Sequence, residues 1–382
     1  MRIGIEGQRL FRKKKHGMDM VALELIHNLQ KIDRENEYFI YVAPDEDTGC
    51  LQDTSNFHIR VLKGGFYPKW EQIALPKAAR ADGVELLHCT SNTAPLRTSI
   101  PLVVTVHDII YMEKSIFQIL TGRGTPYQKF GNVYRRFVVP RIIQKSQIII
   151  TVSQFEKKRM AEFFGMDDHK LRAVYNGVSS HFKPVIDEKV RQQAREKYHL
   201  PEKFFFHLGN TDPKKNTLGV IKAYARFRER TGLDIPLVML DFDHDELLAM
   251  AKASGDVHII DHIHLTGYVP NKELPAIYSM CEIFLYPSLR ESFGIPILEA
   301  MACGVPVITS NTSSMPEVSG GAALLVDPFK PDTITEAMIN LLNNPVLRND
   351  LIQRGFTQAA RFTWEAMAQQ VLTIYKEVAS IN

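Results

Sequence analysis

The chain has 382 residues, 45% of them apolar and 23% charged, with 22 Gly, 20 Pro and a formal net charge of +3. That length exceeds what one hydrophobic core usually serves, so two domains are expected, and the composition excludes collagen, coiled coil and bulk disorder. No uninterrupted apolar stretch reaches the roughly eighteen residues of a membrane span, and Met1–Glu6 reads as a strand, not as a basic-then-apolar leader.

In chain order, apolar runs rich in Val, Ile and Phe predict strands at Arg2–Gly7, Tyr38–Ala43, His58–Leu62, Val84–Cys89, Leu102–Val106 and Gln147–Val152. Amphipathic spacing predicts helices at Met18–Lys31, Glu71–Ala81 and Tyr127–Lys145. Ser153 and Glu156 form a capping-box signature that opens a further helix to Phe164. After Tyr175-Asn-Gly-Val178 the alternation restarts. Strands are expected at Phe204–Leu208, Pro236–Leu240, His262–Thr266, Ile283–Tyr286 and Val305–Thr309. Helices are expected at Thr217–Arg230, Glu246–Ala253, Lys272–Met280 and Pro296–Ala302, followed by three helical segments at the end. The charged stretch Asp187–Lys197 reads as part of the boundary. Continuous apolar strands separated by helices indicate parallel sheets covered on both faces. The expected fold class is therefore α/β, with two doubly wound domains and a ligand at the carboxyl ends of strands between them.

The net charge conceals an asymmetry. Residues 1–180 hold 26 Lys and Arg against 19 Asp and Glu, a balance of +7; the remainder hold 20 against 24, a balance of −4. A basic first half suits an anionic partner there, and a solvated face accounts for it equally well. Cys50, Cys89, Cys281 and Cys303 lie far apart without a CxxC pair, which fits a reducing, cytoplasmic setting.

The segment from Pro287 to Ser310 carries the strongest chemical signal. A strand ends at Tyr286, a loop carries Glu291 and Gly294, Pro296 sits in the first turn of a helix, and Gly304 stops it. Ser292, Phe293, Gly294 and Ile295 would present backbone at a helix N-terminus, which favours an anion. Glu291 in the loop and Glu299 one turn into the helix can serve different parts of one ligand, since a carboxylate accepts hydrogen bonds from vicinal hydroxyls. Glu291-Ser-Phe-Gly-Ile-Pro-Ile-Leu-Glu299, with Ser313–Val318 and Ala323–Pro328 after it, resembles the E-x7-E element of the retaining nucleotide-sugar glycosyltransferases of family 4. The resemblance implies a GT-B fold of two Rossmann-like domains facing a central cleft. Residues 1–180 would form the acceptor-side domain, with a C-terminal helix of about 363–382 packing back on it, and residues 181–362 the donor-binding domain. It also implies that Glu299 binds the nucleotide ribose and Glu291 lies near the transferred sugar.

Three further segments extend the resemblance. Between a strand and a helix, Gly209, Asn210, Lys214 and Lys215 resemble the family's phosphate loop, with Lys215 the better match for the residue that neutralises the leaving diphosphate. Many relatives carry an Arg where Asn210 or Lys214 stands. His107, beside Asp108 at a strand end, resembles the family His that reaches the donor sugar, with Asp108 orienting it. In the first strand–helix turn only Gly17 matches, flanked by His16 and Asp19. The base of the nucleotide is expected against backbone near Gly267–Val269.

Other patterns point elsewhere. Asp241-Phe-Asp243 is DxD-like, and His258, His262 and His264 crowd nearby, but a DxD metal site belongs to a different glycosyltransferase fold. No glycine-rich dinucleotide fingerprint is present. Arg9, Arg12, Lys13, Lys14 and Lys15 form a basic loop; Lys129, Arg135, Arg136, Arg141 and Lys145 lie on an apolar helix. Both suit a membrane surface or a solvated face, and no nucleic-acid motif accompanies them.

The resulting expectation is a metal-independent, retaining hexosyltransferase without a cofactor, mannosyltransferase-like, cytoplasmic and peripheral at the inner membrane face. It would move a sugar from GDP-mannose or a UDP-sugar to a glycan or lipid-linked acceptor. His107, Glu291 and Lys215 are its catalytic candidates. A phosphorylase, a nucleotide-sugar epimerase or a non-catalytic glycan-binding protein are the alternatives.

Overall fold

The computed structural model describes residues 1–113, 115–121, 125–240 and 242–381. The chain divides into two compact units, Met1–Gly177 with Trp364–Asn382, and Val178–Thr363. The first boundary therefore falls three residues before the 180 read from sequence.

The first unit holds a seven-stranded sheet: β1 (Arg2–Glu6), β2 (Glu37–Val42), β3 (Phe57–Val61), β4 (Leu86–Cys89), β5 (Leu102–Val106), β6 (Ile148–Thr151) and β7 (Leu171–Ala173). Every pairing is parallel, in the order β3-β2-β1-β4-β5-β6-β7. β4, β5 and β6 are buried along their whole length, which is why they read as unbroken apolar runs. Val104, Val106, Leu87, Ile142 and Trp70 meet in its core. Each such side chain contributes roughly 1.5–3 kcal/mol by leaving water.

The final helix, Trp364–Ile381, belongs to this unit. Buried Tyr375 meets His88 Nδ1 at 2.6 Å, and His88 Nε2 meets Thr105 Oγ1 at 2.8 Å. Burial pushes His88 down to about 3, so the ring is neutral and ties the last helix to β4 as a hydrogen-bonded core group.

The second unit holds six parallel strands: β8 (Phe205–His207), β9 (Leu237–Met239), β10 (Ile263–Leu265), β11 (Ile283–Tyr286), β12 (Val307–Ser310) and β13 (Leu324–Val326). Their order is β10-β9-β8-β11-β12-β13. Both sheets reverse direction once, between β1 and β4 and between β8 and β11. Loops leaving the carboxyl ends of strands diverge at such a point and open a ligand site.

Three differences from the sequence reading have local causes. β7 and β13 are three-residue edge strands with one buried side chain each, so they lack the full burial that marks the equally short β8 and β9. The stretch Asp187–Lys197, read as part of the boundary, lies inside the second unit: Glu188–Tyr198 is a helix whose cap, Asp187, accepts the Lys189 N–H at 2.9 Å. Only Ala194 and Tyr198 are buried along it, so it carries no apolar stripe to read. The helix expected at Glu71–Ala81 begins earlier, with a helical turn at Tyr67–Lys69 and a π-helical turn at Trp70–Ala74.

Candidate functional site

In the second unit, the site is built by two loops that flank the reversal between β8 and β11. β11 ends at Tyr286, which is fully buried, and the chain then crosses Pro287 to reach helix Ile295–Ala302. Gly294, at φ +108, turns the backbone into that helix, a conformation side-chain-bearing residues rarely adopt. The loop is fastened from behind by Ser313 and Ser314. The Glu291 N–H donates to Ser313 Oγ at 3.0 Å, and Ser314 Oγ donates to the carbonyls of Glu291 (3.0 Å) and Phe293 (2.8 Å). These bonds explain why the Ser313–Val318 segment accompanies the E-x7-E element.

The loop after β8 reaches the same place. Lys215 Nζ lies 2.7 Å from Glu291 Oε1 and donates to Tyr286 Oη at 3.1 Å, while Tyr286 Oη donates to Glu291 Oε1 at 2.9 Å. Lysine, phenol and carboxylate thus close a three-membered cluster. Asn216, in a left-handed conformation (φ +58), braces it by donating to the carbonyls of Pro287 (2.9 Å) and Pro328 (2.8 Å).

Glu299 is placed apart from this cluster, one turn into the helix. It is buried, and Tyr278 Oη donates to its Oε2 at 3.1 Å. Burial pushes its carboxyl up to about 7, and the Tyr278 bond offsets only part of that. The two glutamates therefore differ electrically: Glu291 is ion-paired, while Glu299 stands close to half-protonated at neutral pH.

The structure separates the remaining candidates. Lys214 lies 3.6 Å from Asp212 and is turned outward; its carbonyl accepts the Leu289 N–H at 2.7 Å, so the backbone, not the ammonium, supports the site. Asn210 is exposed and its side chain accepts the Asp212 N–H at 2.8 Å, shaping the loop. A Cβ on Gly209 would lie 2.3 Å from Met239 Cε and 2.9 Å from Phe242, so a larger residue here would have to displace those two side chains. Phe293 is buried against Phe362, with ring centroids 5.8 Å apart. Ser292 and Ile295 are half-buried, and Val269 is buried just past Gly267 (φ +70).

In the first unit, His107 follows β5, is buried, and sits with its ring Nε2 2.9 Å from the carbonyl of Thr90 while its N–H donates to Asn92 Oδ1 at 2.6 Å. Burial lowers its pKa, so the ring is neutral with Nε2–H donating and Nδ1 able to accept. Thr90, not Asp108, orients the ring: Asp108 Oδ1 accepts the Ile110 N–H at 3.1 Å instead. Gly17 opens helix Gly17–Ile32, and a Cβ there would meet nothing within 4 Å.

Around His107 lies a polar cluster that sequence reading did not assemble. Arg9 Nε is 3.2 Å from Asp19 Oδ1, and Asp19 Oδ2 accepts the His16 N–H at 3.0 Å. Glu6 is buried and accepts the Gln8 N–H at 2.9 Å. Glu71, projected by the π-helical turn, accepts from Tyr67 (2.7 Å), Gln72 (2.7 Å), Tyr134 (2.5 Å) and Thr93. Burial raises the Glu71 pKa even so. No sequence spacing links these residues; a lone Glu opening a helix gives no hint of four donors converging on it.

In the basic loop Lys15 is paired to Asp47, while Lys13 lies 3.3 Å from Glu46 with both side chains exposed. The histidines do not converge: His264 bonds the Tyr198 carbonyl at 2.8 Å, His262 lies 3.5 Å from Asp234, and His258 lies 3.8 Å from Asp261. Asp241 lies outside the described residues, and Asp243 caps helix His244–Ser254. Among the described residues no group of three His, Cys, Asp or Glu is arranged to hold a metal ion.

The family model described as Glycosyltransferase Family 4 matches residues 16–182, and the model described as Glycosyl transferases group 1 matches residues 190–358. The chain belongs to glycosyltransferase family 4. It is similar to the O-antigen chain mannosyltransferase B of Escherichia coli, 32% identical over 237 residues that make up 61% of each protein. It is also similar to the O-antigen chain mannosyltransferase RfbU of Salmonella typhimurium, 27% identical over 315 residues, 82% of this chain and 79% of that protein. The chain thus spans less than two thirds of the length of the first of these, and 29% of a serotype-specific mannosyltransferase, WbdA, of E. coli. HepE of Anabaena, solved in complex with UDP-glucose, superposes with a TM-score of 0.73 at 16% identity, covering 99% of this chain and all of that one. That likeness establishes GT-B as the fold of this family 4 member.

Proposed function

We propose that the protein is a retaining glycosyltransferase that moves a hexose, mannose being the one the relatives' names suggest, from a nucleotide-diphosphate sugar to a hydroxyl of a glycan or lipid-linked acceptor. The observation that carries this reading is the meeting of Lys215 with Glu291, 2.7 Å apart at the reversal of the second sheet, with Glu299 on the adjoining helix. Lys215 and the N-terminal end of helix Ile295–Ala302 meet the negative charge that develops on the leaving diphosphate, so no metal ion is required. Glu299 accepts the ribose hydroxyls and Glu291 accepts hydroxyls of the transferred sugar, while neutral His107, with Nδ1 able to accept, is the catalytic candidate of the first unit. The cluster of Arg9, Asp19, Tyr67 and Glu71 supports the acceptor side. A panel of GDP- and UDP-sugars read by saturation-transfer NMR, followed by the anomeric configuration of the product, tests the reading. An inverted product, or turnover abolished by EDTA and restored by a divalent ion, overturns it.

The acceptor side includes a membrane surface in the same proposal. No described helix is long and apolar enough to cross a bilayer. Ile116, Phe117 and Leu120 are nevertheless exposed on helix Ile116–Thr121, Phe117 to 74%. Phe66 and Phe130 add a second exposed pair, ring centroids 5.2 Å apart, near Lys129. Apolar side chains with basic neighbours suit an anionic interface. Phe117→Glu is expected to lower co-sedimentation with anionic vesicles severalfold; unchanged binding sinks the membrane contact.

A further inference from the structure

We infer that Glu291 is the resident counter-ion of Lys215 and that it makes the donor site prefer a sugar-bearing diphosphate over the bare diphosphate. The inference rests on the donor-site reading above and concerns what the Lys215–Glu291 pair does when the ligand changes.

Lys215 cannot meet a diphosphate with full strength while its ammonium is held by Glu291 at 2.7 Å and Tyr286 at 3.1 Å. Without ligand the pair is neutral as a unit, and neither charge is left bare in a site where Glu291 is 11% and Lys215 24% exposed by side chain. An arriving diphosphate draws Lys215 away and leaves the carboxylate partly buried, held only by the Tyr286 hydroxyl, beside new negative charge. A sugar on the β-phosphate corrects this, since its hydroxyls donate to the freed carboxylate. A bare nucleoside diphosphate has no such donors. It also carries an extra negative charge, because the terminal phosphate, with a second pKa of about 6, is ionised where the ester is not.

The exchange therefore runs in opposite directions before and after transfer. The intact donor satisfies both Lys215 and Glu291. Once the sugar has left, Glu291 has lost its hydroxyl partners and re-forms the pair with Lys215, loosening the diphosphate product. Tyr286 is the pivot, because its hydroxyl touches both partners, accepting from Lys215 at 3.1 Å and donating to Glu291 at 2.9 Å. Being the last residue of β11, and fully buried, it holds its position while the lysine moves.

Calorimetric titration of the whole protein with GDP and GDP-mannose, and with UDP and UDP-glucose, tests this. Glu291→Gln keeps the shape of the side chain and its acceptor oxygen but removes the charge. It is expected to bind the bare diphosphate about tenfold tighter than the native protein while binding the sugar nucleotide no better, so the preference collapses. Glu291→Ala should move in the same direction, and Tyr286→Phe, which takes from the freed carboxylate its remaining donor, should weaken bare-diphosphate binding by two- to threefold, which covers a failure of either Glu291 variant to fold. A native protein that binds sugar nucleotide, with Glu291 variants whose diphosphate affinity is unchanged or weaker, overturns the inference alone. A native protein that binds no sugar nucleotide overturns the donor-site reading itself.

Discussion

Each sheet of this family 4 glycosyltransferase carries a cation–carboxylate pair at the point where its strand order reverses, and the two pairs are built for different tasks. In the first unit Arg9 meets Asp19, whose side chain is 1% exposed and is fixed by the His16 N–H at the start of a helix. In the second, Lys215 meets Glu291, and both reach solvent, at 24% and 11%. A guanidinium is a rigid fork on a carboxylate that cannot turn, whereas an ammonium is a point charge on a flexible stem. The same topological position thus yields one fixed pair and one exchangeable pair. Arg9 makes no hydrogen bond with its terminal nitrogens among the described residues, and its Nε is buried without one. Its fork is thus held in place by the charge of Asp19.

The largest expected effect breaks the fixed pair. Arg9→Ala leaves Asp19 buried with its charge uncompensated, a loss of roughly 3 kcal/mol. The melting temperature should fall by roughly 6–12 °C, as expected for a unit of this size. Nucleotide affinity should stay within about twofold of native, because Arg9 belongs to the other unit. A protein that melts normally would show that Arg9 and Asp19 are as replaceable as a surface pair.

Lys215→Ala should invert that pattern. Glu291, 11% exposed by side chain, keeps the Tyr286 hydroxyl and some access to water when Lys215 is removed, so melting should fall by less than about half of the Arg9→Ala loss. Turnover of the nucleotide sugar should drop by roughly ten- to a hundredfold, the value of a charged contact of about 1.5–3 kcal/mol made to the departing diphosphate. Unchanged kcat/KM removes Lys215 from the mechanism.

How much of this was legible in the sequence follows the same divide. The Glu291–Glu299 element is local: strand, loop, cap and helix follow one another within twenty residues, so Gly294, Pro296 and Gly304 announce it. Lys215 could be tied to it only through the family likeness, since 76 residues separate it from Glu291. Nothing in a one-dimensional pattern marks Tyr286 as a hydrogen-bonding residue, because it ends an apolar strand as any aromatic would. The first unit's cluster was the hardest to see. Glu6, Arg9, Asp19 and Glu71 come from a strand, the loop after it, a helix and a π-helical turn, and that turn shifts Glu71 off the face that a regular helix would give it. Strand order is likewise invisible to periodicity, and it is strand order that puts both pairs at a reversal.

Glu299 offers the smallest effect and the most discriminating one, because binding and stability should respond to pH with opposite signs. Its folded carboxyl is raised to about 7 by burial, above the ordinary value of 4.5. A raised folded pKa means that folding takes up a proton. The protonated side chain therefore contributes stability that is fully present below about pH 4.5 and lost as pH rises through 7. Ribose hydroxyls need the ionised form as their acceptor, so affinity for GDP-mannose or UDP-glucose should instead rise between pH 6 and 8, by roughly three- to tenfold. Sugar nucleotides are the right probe, since their esterified phosphates do not titrate in that window. Glu299→Gln removes both dependences: its affinity should be flat across the range, and its melting temperature should gain on the native protein as pH rises. Melting and affinity that climb together with pH in the native protein would mean that Glu299 enters the site ionised and already paired, and that the ribose is held elsewhere.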